Sequence, residues 1–242
     1  MTKQSTAGAA TPAPEPAGPV AVPVWDWPVR LFHWSIVALL VVAVVTVKIG
    51  GNAMEWHMRA GMAVLALVVF RVLWGFAGSR HARFASFVRG PRAVVAYARS
   101  VVKPPHELHV GHNPLGGWSV IAMLVVLLAQ ATSGLFSNDD IATDGPLARL
   151  VSKDTSDAVT SFHRLNVWAL AALVAAHVGA VGFHLVALKE NLVHAMLTGV
   201  KKPPLRPQLP SRALRSAMAR LRCASSPYQV AWRPGCTSVA GR

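Results

Sequence analysis

Four stretches of the chain stay apolar long enough to cross the hydrocarbon core of a bilayer, a distance that takes roughly 20 helical residues. They predict helices over about 31–49, 55–77, 116–136 and 165–188. The third stretch holds no charged residue, and the fourth is also free of formal charge but contains His177 and His184. The second has Arg59 and Arg71 towards its two ends, where long cationic side chains reach the interface by snorkelling. The fold class this pattern implies is all-α, an integral membrane four-helix bundle.

The flanks read differently. Residues 1–24 are rich in Ala and Pro and lack the basic start and apolar core of a secretory signal, which predicts a disordered extension. Residues 25–202 form the membrane domain. From 203 to 242 the chain is polar and basic, and Pro203, Pro204, Pro207 and Pro210 interrupt any long helix, so a disordered tail is expected. A short amphipathic helix around 211–222 is the alternative there.

Composition agrees with the membrane class: 53% of residues are apolar and only 14% charged. A net charge of +14 raises the question of nucleic acid. The Lys and Arg fall between the apolar runs rather than along one amphipathic surface, which argues for membrane orientation and against nucleic-acid binding. Arg80, Arg83, Arg89, Arg92, Arg99 and Lys103 face a single acid, Glu107, between the second and third helices, and ten more Lys and Arg lie from Lys189 onward. Asp139, Asp140, Asp144, Asp154 and Asp157 outnumber Arg149 and Lys153 between the third and fourth. The positive-inside bias therefore predicts both termini cytoplasmic. Trp25, Trp27, Trp34, Trp56, Trp74, Trp118 and Trp168 gather near the expected interfaces, as an aromatic belt does without any cofactor.

Histidine brings in the chemistry. Ten occur, and several lie in or at the edges of apolar helices, where a polar ring is costly without a partner. His33 sits near the cytoplasmic end of the first helix and His57 near the external end of the second. His163 is external and His177 deeper. At about 1.5 Å and about 100° per residue, His163 and His177 stand roughly 21 Å apart on nearly the same helical face. Depth pairs His57 with His163 and His33 with His177. Each pair suits a bis-imidazole haem, a closed coordination that fits reversible one-electron transfer. His184, one heptad past His177, competes as a ligand for the inner haem or as a propionate partner. A lone intramembrane histidine is as readily a helix–helix hydrogen bond, and four at matching depths weigh against that reading. His81, His106, His109, His112 and His194 read as solvated. Arg30, Arg59, Arg71 and Arg164 are candidate propionate partners, with snorkelling as the plainer alternative. Cys223 and Cys236 lie in the tail, and no C-x-x-C-H sequence is present to attach haem covalently.

These residues also carry a resemblance. The string Trp25-Asp26-Trp27-Pro28-Val29-Arg30-Leu31-Phe32-His33-Trp34 resembles the first-helix signature of the bacterial cytochrome b561 and nickel-iron hydrogenase b-type cytochrome superfamily. Residues 70–76, 82–84 and 87–91 resemble its second helix and following loop, 111–118 the start of its third helix, and 191–199 the end of its fourth. The resemblance covers about 24–202. It implies haem b, two per chain, held by His33, His57, His163 and His177, and a place in the bacterial inner membrane. Electron exchange with the quinone pool or a redox partner follows, with a soluble cytochrome c or a hydrogenase-like enzyme as candidates and a homodimer as a further candidate assembly. The basic tail with its two cysteines lies outside the resemblance. Two other classes stay open on the residues alone: a haem-free membrane anchor and a transporter relaying protons through histidines.

Overall fold

In a computed structural model, residues 22–100, 113–141 and 143–201 are described. Four long helices dominate: α1 (Trp27–Ile49), α2 (Met54–Ala77), α5 (Pro114–Phe136) and α6 (Lys153–Val186). Each is long and apolar enough to cross a membrane. Three short helices accompany them, α3 (Phe84–Phe87), α4 (Pro91–Ser100) and α7 (Leu192–Thr198), with a two-residue strand at each end, β1 (Val22–Pro23) and β2 (Val200–Lys201).

Local chemistry sets the helix starts. Asp26 accepts the Val29 amide at 3.0 Å, and Pro28 sits in the first turn of α1. Asn113 accepts the Gly116 amide at 2.7 Å, with Pro114 opening α5. Both satisfy amides that a helix start leaves without intrahelical partners. Ser152 caps α6 in the same way, at 3.3 Å from the Thr155 nitrogen.

That cap moves a boundary. Apolar content alone starts the fourth helix near residue 165, whereas α6 begins at Lys153. Its polar first turns are held by local bonds: Lys153 pairs with Asp157 one turn on, and the Asn138 amide bonds Ser156 Oγ at 2.6 Å and Asp157 Oδ1 at 2.9 Å. Ser156 Oγ in turn donates to the Phe136 carbonyl at the end of α5, at 2.7 Å. Much of the acidic connection between the third and fourth helices is therefore helix. The first helix likewise starts at Trp27, before the uninterrupted apolar run, because Asp26 caps it.

The four helices pack as a row, α1 on α2, α2 on α5 and α5 on α6. Ile36, Val64, Val68, Leu124, Leu127, Ala131 and Leu170 form the core along that row. Val68 is fully enclosed. α2 and α5, in the middle, bury more of themselves than α1 and α6.

β1 and β2 pair antiparallel, Val22 opposite Lys201 and Pro23 opposite Val200. The two ends of the four-helix unit therefore lie on the same side of the bundle, as an even number of spans requires. Val24 is buried and donates to the Gly199 carbonyl at 2.9 Å, so the expected disorder does not extend through residues 22–24. Gly199 closes α7 with φ +82°, and a Cβ there would stand 2.8 Å from the Trp25 carbonyl. The extension before residue 22 and the basic tail with Cys223 and Cys236 lie outside the described residues.

A half-buried ionic clamp closes this end. Glu190 takes Lys201 Nζ at 2.5 Å on one oxygen and His184 Nδ1 at 2.8 Å on the other. Burial opposes ionisation of Glu190, but hydrogen bonds from Lys201 and His184 prevail and hold its carboxyl below the ordinary value of 4.5. A carboxyl with a depressed folded pKa adds stability that is present above its unfolded value and lost as pH falls through the folded value. Glu190→Gln is thus expected to lower the unfolding temperature at neutral pH. The gap to wild type should persist at pH 4.5 and close only at lower pH. Equal unfolding temperatures at neutral pH would show that the clamp contributes nothing.

Candidate haem sites

The structure brings the four membrane histidines together as two pairs. His33 on α1 and His177 on α6 have ring centres 6.3 Å apart, and His57 on α2 and His163 on α6 also 6.3 Å apart. The rings are inclined at 52° in the first pair and 85° in the second. α6 runs unbroken past both, so roughly 21 Å of helix separates its two histidines. Both pairs span from α6 to the α1–α2 side of the bundle.

This spacing suits a metal between the rings. Two imidazoles bonded at roughly 2.0 Å to opposite sides of one ion put their ring centres about 6 Å apart. Among the described residues no three His, Cys, Asp or Glu side chains gather to hold an ion. A pair alone leaves most of a metal's coordination to another donor set, and a porphyrin supplies four equatorial nitrogens.

Tautomers can be read at one pair. A carbonyl oxygen only accepts, so His57 Nδ1, 2.9 Å from the Ala43 carbonyl, and His163 Nδ1, 2.9 Å from the Gln130 carbonyl, both carry hydrogen. That leaves each Nε2 with a free lone pair, the form that binds metal. Ser133 Oγ lies 3.0 Å from the same His163 nitrogen and itself donates to the Gln130 carbonyl. The Gln130 amide is held on both sides: Oε1 accepts from Asn166 at 2.8 Å, while Nε2 donates to the His163 carbonyl at 3.1 Å and approaches His163 Nε2 at 3.1 Å. A metal at that nitrogen would displace only the last of these contacts. Gly134 stands against the His163 ring, where a Cβ would come within 3.1 Å of it.

The other pair is barer. His33 Nδ1 is buried with no hydrogen-bond partner among the described residues. Arg71 is 3% exposed, packs its guanidinium over the Phe84 ring at 5.2 Å, and leaves Nη1 without a partner. It does not snorkel, because its helix turns that face into the protein. Trp74, three residues on, bonds Asp26 at 3.1 Å, which puts Arg71 at the same end of the bundle as His33. Orphaned buried polar atoms at this end fit a polar or anionic group seated between the helices.

The remaining candidates are placed elsewhere. Arg30 bonds the Met196 carbonyl at 3.2 Å and the Leu197 carbonyl, closing α7. His184 is taken by Glu190. Arg164 is exposed beside His163. Sequence reasoning passed over Gln130, Ser133 and Asn166. The available signal was polar side chains inside apolar spans, with Gln130 and Ser133 one turn apart on α5 and Asn166 one turn from His163.

Comparison with known proteins gives a family match across this whole unit. Residues 24–199 match the model of the family described as prokaryotic cytochrome b561. The chain is 26% identical to the "Probable Ni/Fe-hydrogenase B-type cytochrome subunit" of Azotobacter vinelandii, over 74% of this chain and 88% of that protein. It is 24% identical to the "Probable Ni/Fe-hydrogenase 1 B-type cytochrome subunit" of Escherichia coli K12, over 70% and 83%. No solved structure matches the chain. With four membrane helices and a family match over most of its length, the chain is a multi-pass bacterial inner-membrane protein and belongs to the prokaryotic cytochrome b561 family, whose b-type cytochromes carry electrons on haem b.

Proposed function

We propose that the protein transfers electrons across the membrane through two non-covalent haems b, one between His57 and His163 and one between His33 and His177. The observation that carries this reading is the pair of 6.3 Å ring separations on one continuous helix. When bound, each haem supplies a reversible one-electron couple. The chain's residues do the rest. The four imidazoles would hold the two haems, two to each, and so would disfavour oxygen binding. The apolar spans keep water from the sites, and Arg71 is suited to hold a propionate through a charge-assisted hydrogen bond.

The His33–His177 end is the cytoplasmic one in this reading, because the basic segment around α4 lies on the connection leaving α2 at that end. Both termini of the membrane unit are then cytoplasmic, and the acidic connection before α6 faces outward. A hydrogenase-like redox enzyme is the partner that the relatives' names favour. Quinone or a soluble cytochrome c would complete the circuit, and a homodimer remains a candidate assembly. A haem-free anchor or a proton-relaying transporter would have no need of histidine rings paired at metal-spanning distance.

Haem stoichiometry tests the reading. Detergent-purified protein should give two haems b per chain in a pyridine haemochrome assay, and His177→Ala should give one, since His184 is engaged by Glu190. Two haems in His177→Ala, or none in wild type expressed with ample haem, would refute it. Arg71→Met removes a buried charge but keeps length, so the fold should persist. Haem content should fall towards one per chain in this variant. Two haems of unaltered spectrum and midpoint would remove Arg71 from the site.

A further inference from the structure

The two histidine pairs differ in what holds their outer nitrogens. At His57 and His163 both Nδ1–H groups donate to backbone carbonyls, those of Ala43 and Gln130, each at 2.9 Å. His163 gains a second acceptor in Ser133 Oγ at 3.0 Å. At the other pair, His33 Nδ1 is buried without a partner among the described residues. Donation from Nδ1–H pushes electron density onto Nε2 and makes the ring a stronger ligand for the oxidised metal. Second-shell hydrogen bonds and burial are the protein's means of setting a haem's potential. Charge acts in the same sense at the opposite end, where the buried Arg71 disfavours extra positive charge on the oxidised state.

We infer that Ser133 and the Gln130 backbone, braced by Asn166, are positioning groups that make the His57–His163 site the lower-potential of the two, so that electrons run downhill to the His33–His177 site. The inference rests on the two-haem reading above. In the step itself one electron leaves the first site, which is oxidised, and reaches the second, which is reduced, and no proton or bond is exchanged. Gln130 has a defined part. Its side-chain amide is held by Asn166 and by the His163 carbonyl, at 2.8 and 3.1 Å, so its backbone carbonyl and the Ser133 hydroxyl stay registered on His163 Nδ1 whether or not Nε2 is engaged. Ser133 is buried, and its hydroxyl hydrogen goes to the Gln130 carbonyl at 3.0 Å, leaving a lone pair for the imidazole.

Spectroelectrochemical titration of the haem-loaded, detergent-purified protein tests this without reference to any partner or turnover. Wild type should titrate as two one-electron components. The component that survives in His33→Ala should be the lower one, and the survivor in His163→Ala the higher. Ser133→Ala should raise the lower component alone, by up to a tenfold shift in its reduction equilibrium, about 59 mV for one electron. Ser133→Thr, which keeps the hydroxyl, should restore it. A purely structural role would change haem content or stability and leave the potential of retained haem in place. If His33→Ala keeps the higher component, or Ser133→Ala moves the higher component or neither, the inference is overturned while the two-haem reading stands. A wild type without two haems would instead refute that reading.

Discussion

The pairing of histidine rings across an apolar interior is the interaction on which the rest of the structure depends. A neutral imidazole in a low-dielectric bundle is costly unless both nitrogens are used. α6 carries two such rings roughly four turns apart, and meets each with a ring from α1 or α2. The row from α1 through α2 and α5 to α6 supplies the hydrophobic core, while His163 and His177 on α6 face His57 on α2 and His33 on α1.

Other features keep α6 in place at both ends. At one end, the Asn138, Ser156 and Asp157 bonds dock its polar first turns onto the end of α5. At the other, the Glu190 clamp and the β1–β2 pairing tie the chain beyond α6 to the segment before α1. Between them the Gln130, Asn166 and Ser133 network fixes the rotation of α6 about its own axis, because a small turn would break its bonds to His163. Position, depth and rotation of the two α6 histidines are each set by a different group of residues.

The spans and the depth of each histidine were legible in the sequence, because apolar length and the rise of a helix are local properties. His163 and His177 share a face for the same reason. The start of α6 was not legible from apolar content, since twelve polar and mixed residues join the helix through a Ser152 cap and bonds to α5. The fate of Arg71 was also hidden. Whether an arginine near a helix end snorkels or is buried depends on which face the helix turns inward, and that is decided by packing against Phe84 and by the tie between Trp74 and Asp26. Nor could spacing alone show that His184 pairs with Glu190, which reaches it only where the chain bends after α6. Gln130, Ser133 and Asn166 were visible as polar residues in apolar spans, but their common target was not.

The proposed function stands on two separate iron sites, each held by two imidazoles. Low-temperature electron paramagnetic resonance of the air-oxidised, haem-loaded protein addresses that claim most directly, since two axial nitrogens give a low-spin ferric ion and ring inclination shapes its spectrum. With rings inclined at 52° in one pair and 85° in the other, two distinct low-spin signals of equal weight are expected. A stoichiometric high-spin signal, or one low-spin species accounting for all the iron, would contradict it.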